Sequence, residues 1–138
     1  MKILVINRQE KGIGQILSVV ESVNGCVNHY SCGLDGLMAA RVERYDLIVS
    51  HTDLPVITGF ELIRSLRHSS VNKNTPVIFL VEEVTSKVNY LGNLLGAAAI
   101  VEERNWESLE ENIKTYVKKY EATRASDLQN LFQTQSLN

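Results

Sequence analysis

The sequence predicts an α/β domain: a five-stranded parallel sheet with helices on both faces. Two observations carry this. Short, β-branched apolar runs alternate five times with stretches whose apolar residues recur at helical spacing. Turn residues such as Asn24-Gly25 and Gly96 mark the changes from one pattern to the other. At 138 residues the chain has the length of a single domain with a real core.

The elements follow in order. Residues 2–6 form a first strand ended by Asn7 and Arg8, and Ile13, Ile16, Leu17 and Val20 mark a helix that reaches Val23. Asn24-Gly25 stops that helix, and residues 26–31 make a second strand. Leu34, Leu37, Met38 and Val42 outline the second helix. Asp46, Leu47, Ile48, Val49 and Ser50 then read as a short buried strand running into the polar turn His51-Thr52-Asp53, closed by Pro55. Ligand sites of parallel sheets lie at the carboxyl ends of the strands, so this turn is the first place to look for chemistry. Thr58 is placed to cap a third helix over 59–67, striped by Phe60, Ile63 and Leu66, and 68–74 is a polar loop. A fourth strand spans 75–81, with Pro76 tolerated at its start. Val84, Val88, Leu91 and Leu95 mark the fourth helix, and 97–101 is the fifth strand. Trp106, Leu109, Ile113, Tyr116, Val117 and Tyr120 stripe the fifth helix.

Alternating strands and helices with right-handed crossovers give a doubly wound, flavodoxin-like sheet of order 2-1-3-4-5. This accounts for residues 1–120. Residues 121–138 are a polar tail whose apolar residues are Leu128, Leu131, Phe132 and Leu137. The first three stand at i, i+3 and i+4, the spacing of a short amphipathic helix, with a plain linker as the other reading.

The composition is 44% hydrophobic and 22% charged, with a net charge of −2, which makes no case for nucleic acid or an anionic membrane as a partner. The apolar run at the start is too short for a signal sequence or a membrane span, so the cytoplasm is the expected location. Cys26 and Cys32 would share a face at strand spacing and are read as reduced thiols, with no second pair to complete a metal site. His29 and His68 lie in unrelated segments. Gly12-Ile13-Gly14 falls within the first helix on this reading and lacks the third glycine of a phosphate loop. Lys114, Lys118 and Lys119 read as a solvated helix face, and Trp106, Tyr116 and Tyr120 as core and edge of the last helix.

Over residues 1–120 the chain resembles the receiver domain of bacterial two-component response regulators, the CheY-like family. The frame carries the likeness: Met1 to Ile6 at the start, Asp46-Leu47-Ile48-Val49 into the third strand, Pro55, Gly59, Glu61-Leu62, Thr75-Pro76-Val77-Ile78 and Leu95-Gly96-Ala97. The resemblance implies a phosphoacceptor Asp after the third strand, two acids after the first strand that hold Mg²⁺, a hydroxyl after the fourth and a Lys after the fifth. There the ion and the ammonium offset the charge of carboxylate and phosphoryl group.

This chain has Asn7 and Arg8 in place of the acids, His51 in place of the acceptor, Val81 in place of the hydroxyl and Glu103 in place of the Lys. Ile100 matches the switching aromatic. Hard cations prefer oxygen ligands, and Arg8 puts a cation where the ion would lie, so no Mg²⁺, no other cofactor and no catalytic residue are expected. Asp53, two residues beyond His51, is a poor substitute acceptor. The reversed signs suggest an ion pair between Arg8 and Glu103, with Asp53 or Glu82 competing for the guanidinium.

The expectation is therefore a pseudo-receiver, a non-enzymatic module acting by protein–protein contact. By resemblance, the partner or a second copy would meet the face of the fourth helix, fifth strand and fifth helix: Val84, Ser86, Asn89, Asn93, Ile100, Glu102, Asn105 and Trp106. The alternative is phosphotransfer through His51, or a small-ligand-binding protein on the same fold. His51 could be oriented only by Asp53 or Ser50 among its sequence neighbours, with Ser50 on the opposite strand face.

Overall fold

The computed structural model describes residues 1–136, with side chains through Gln133. Five parallel strands, β1 (Lys2–Ile6), β2 (Cys26–Tyr30), β3 (Leu47–His51), β4 (Val77–Val81) and β5 (Ala99–Glu102), form one sheet in the order β2-β1-β3-β4-β5. β3 lies at the centre, with Val49 opposite Val5 on one side and Ile78 on the other. The helices are α1 (Ile13–Val20, continued by a 3₁₀ turn Glu21–Val23), α2 (Gly33–Val42), α3 (Gly59–His68), α4 (Ser86–Leu94) and α5 (Trp106–Ser136).

Strand alternation divides the core in two. Ile3, Val5, Val49, Ile78 and Leu80 pack under α1 and α5 against Ile16, Val20, Leu109, Ile113 and Val117. Leu4, Ile6, Ile48, Phe79 and Val81 pack on the other face with Ala40, Leu62, Ile63 and Leu66. Burial of both sheet faces is what makes the strand runs almost wholly apolar.

Local chemistry sets the turns. Asn24 ends the 3₁₀ turn at φ 52, a left-handed conformation that Asn accepts readily. The Thr58 hydroxyl accepts the Glu61 N–H at 3.1 Å and caps α3. Between β3 and α3 the Ile57 N–H donates to Pro55 O at 2.9 Å, a three-residue turn that holds Val56 at φ 74, strained for a β-branched residue. Gly59 is needed next, because a Cβ there would run into the His51 carbonyl.

Four expectations are corrected. In α2 the buried residues are Gly33, Gly36 and Ala40, with Leu37 half-buried, whereas Leu34, Met38 and Val42 face solvent. Small residues let the helix lie close to β1, where Ile6 fills the space a Gly36 side chain would take. Gly12 is not inside α1 but precedes it, at φ 88, under the Trp106 indole. The fifth helix does not end near Tyr120; it runs unbroken to Ser136, 31 residues and about 46 Å, with residues 121–133 exposed. Leu137 lies outside the described residues. Cys32 is at the entrance of α2 rather than on β2, so the two thiols do not share a strand face; both are free.

Candidate functional site

The carboxyl ends of β1, β3, β4 and β5 converge at the centre of the sheet. His51, the last residue of β3, pairs with Leu80 and is only 6% exposed. Its Nδ1 accepts the backbone N–H of Asp53 at 2.9 Å, so that nitrogen carries a lone pair. The proton is therefore on Nε2, which donates to the Glu103 carboxylate at 2.8 Å. Both ring nitrogens are engaged. Glu103 is placed for this by its own backbone, whose N–H donates to Val81 O at 2.8 Å as the chain leaves β5.

The expected Arg8 to Glu103 ion pair is not formed. Arg8 instead reaches the competing Asp53 at 3.4 Å, a pair exposed on both sides and hence of small energetic weight. The reason is burial. The enclosed His51 Nε2–H would be costly to leave unpaired, whereas an exposed guanidinium is solvated by water. Glu82 is exposed and makes no ion pair among the described residues.

Asn7 continues the sheet past β1. Its N–H donates to Tyr30 O at 3.1 Å and its carbonyl accepts from His29 Nε2 at 2.8 Å. Val81 is buried and presents no hydroxyl. The group that orients His51 was missed in the sequence, where only neighbours along the chain were weighed. Neither Asp53 nor Ser50 does it with a side chain: Asp53 uses its backbone, and the Ser50 hydroxyl donates to the His51 carbonyl at 3.1 Å. The signal was present in the sequence, since by the resemblance His51 and Glu103 stand at the positions of an acid and a base.

On the expected partner face, Val84, Ser86, Asn89, Asn93 and Asn105 are exposed, and half-buried Glu102 pairs with Arg104 at 3.4 Å. Ile100 is half-buried and packs beneath α4 against Gly92. Trp106 does not belong to this face, because its indole turns to the opposite side of α5 and covers Gly12 and Ile16.

No family model matches the chain. The chain is 36% identical over 98 residues to the probable transcriptional regulatory protein SilR of Salmonella typhimurium, a match covering 70% of this chain and 42% of SilR. Among solved structures it is similar to the chemotaxis response regulator CheY4 of Vibrio cholerae, at 26% identity and a TM-score of 0.71, over 83% of this chain and 97% of that one. In sequence and in fold the chain is similar to the receiver domains of response regulators.

The receiver fold is also shared with the receiver domain of the sensor histidine kinase PA1611 of Pseudomonas aeruginosa (19% identity, TM-score 0.69, 85% of this chain and 97% of that one). That structure is described with a magnesium ion in its active-site cleft. The present chain spans less than half the length of SilR, so what the whole of that relative does is not carried over. No described helix is long and apolar enough to cross a membrane.

Proposed function

We propose that this receiver domain is a pseudo-receiver: a cytoplasmic signalling module that takes no phosphoryl group, binds no Mg²⁺, catalyses no reaction and works through protein contact. The carrying observation is the state of His51. It stands at the strand end where the family keeps its acceptor carboxylate, with Nδ1 filled by the Asp53 N–H and Nε2 by Glu103. A phosphoryl group on either nitrogen would break one of these bonds inside a site that is 6% exposed, which also weighs against His51 phosphotransfer.

The donor set does not fit Mg²⁺. The ion wants near-octahedral oxygen ligation, and the convergent groups here are an imidazole, a guanidinium and an isopropyl side chain, with Glu103 already committed. Partner contact through α4, β5 and the start of α5 is part of the same proposal, resting on the exposed Val84, Ser86, Asn89, Asn93 and Asn105. The domain itself contacts no nucleic acid on this reading.

The test is incubation with a small phosphodonor and Mg²⁺, followed by intact-mass measurement under conditions that preserve acid-labile phosphate. The expected spectrum is unchanged. A gain of one phosphoryl group that His51→Ala abolishes would establish His51 transfer instead, and a gain that survives in His51→Ala would restore a carboxylate acceptor.

A further inference from the structure

Among the described residues, apolar helix faces are uncovered on α2 and on the extension of α5, besides Tyr90 and Leu94 on α4. Leu34, Met38 and Val42 stand at i, i+4 and i+8 along the outside of α2, with Met38 60% and Val42 85% exposed. On the extension of α5, Leu128, Leu131 and Phe132 are also exposed, Phe132 at 67%, and Ala125, Leu128 and Phe132 line a shallow groove with neighbouring glutamines. A helix of this length containing Thr123, Ser126 and Asn130 is marginal alone in water, so burial of its apolar face would stabilise it substantially.

We propose that the α5 extension of one protomer lies on the α2 ridge of a second copy, and reciprocally, forming a two-fold dimer. Size favours a second copy. Three side chains on the extension are a fraction of the about 800 Å² that each partner of a stable complex buries, whereas reciprocal exchange commits six large apolar side chains per protomer. Reciprocity also closes the assembly; a one-way contact of ridge and extension would propagate.

Charge points the same way. The ridge borders a groove between α2 and α3 lined by Arg41, Arg64, Arg67 and His68 against the single acid Glu61. The extension carries Glu121 and Asp127 against the single base Arg124. The extension does not cover its own ridge, because α5 and α2 pack on opposite faces of the sheet and α5 runs on as one helix past the core.

The experiment is sedimentation velocity on the 138-residue chain over a dilution series, for wild type, Met38→Glu and Phe132→Glu, with circular dichroism to confirm folding. Wild type is expected to be dimeric, and each substitution to weaken the dimer at least about tenfold. An equimolar mixture of the two variants should associate more than either alone, since it keeps one intact contact. Both side chains face solvent in the monomer, and Val42→Glu repeats the α2 arm should Met38→Glu fail to fold. A monomeric wild type overturns the proposal. So does a dimer sensitive to only one of the two positions, which would mean extension on extension or ridge on ridge, or a dimer sensitive to neither.

Discussion

His51 and Glu103 meet at 2.8 Å across the ends of β3 and β5, an imidazole that is almost wholly enclosed donating to a carboxylate that is half in solvent. The pair keeps the complementarity that the resemblance leads one to expect between these strand ends, with donor and acceptor exchanged. A carboxylate on β3 and an ammonium after β5 become an imidazole on β3 and a carboxylate after β5.

This geometry fixes the His51 tautomer. Nitrogen-15 NMR of the ring should show a protonated Nε2 and an unprotonated Nδ1. Glu103→Ala should cost about 1–2 kcal/mol in urea unfolding, the penalty for leaving an enclosed donor unpaired, and Glu103→Gln, which keeps an acceptor oxygen, should cost less. An Nδ1–H ring in the wild type would contradict the hydrogen bond from Asp53.

Asn72 is the second enclosed polar centre. Its carboxamide donates to the carbonyls of Ala40 and of Glu43, the latter at 2.8 Å, and accepts from Tyr45 N–H at 2.8 Å and the Thr75 hydroxyl at 3.0 Å. One side chain thereby ties the end of α2 to the entries of β3 and β4. Asn72→Ala should destabilise the fold by about 2–4 kcal/mol, because a buried N–H and buried carbonyls lose their partners together. Asn72→Asp should not rescue it, since a carboxylate cannot donate to the two carbonyls.

Gly12→Ala should destabilise through two effects at one position: the left-handed backbone at φ 88 and the collision of the new Cβ with the Trp106 ring. Trp106 is the only tryptophan, so the change reads directly in its fluorescence, with a red shift as the ring is displaced into water. Gly14→Ala, with open space around it, is the control and should leave both the emission and the stability near wild type.

Burial raises the pKa of the Tyr45 phenol above its ordinary value, partly offset by the hydrogen bond from Asn28 at 2.9 Å. The folded chain thus holds this proton to higher pH than the unfolded chain does. The associated stability is fully present below the unfolded value of about 10 and is lost as the pH rises through it towards the folded value. Chemical denaturation should show stability falling above about pH 10, and the slope there should diminish in Tyr45→Phe.

The strand order and the identity of all five helices were legible because each element's apolar pattern is local and the crossover rule leaves few topologies. The burial of α2 was not. Leu34, Met38 and Val42 have the spacing of a buried stripe, yet the inner face is Gly33, Gly36 and Ala40, because Gly33 lies against Ile57 and Gly36 against Ile6, with no room for a side chain. A helix facing a sheet at short range is read wrongly when only large apolar residues are counted. The length of α5 was also hidden, since polar residues past Tyr120 resemble a linker and no proline or glycine stops the helix.

The sequence by itself determined the fold and the residue types that stand at the strand ends, because both depend on which residue type stands at which place along the chain. Only the tertiary structure decided how the substituted residues pair. As partners for Arg8, Asp53 and Glu103 are interchangeable on paper. The enclosed His51, which must place its Nε2 proton, is what takes Glu103 and leaves Arg8 to the exposed Asp53. Burial is a property of the assembled sheet, and it ranks partners that the order of residues leaves equal.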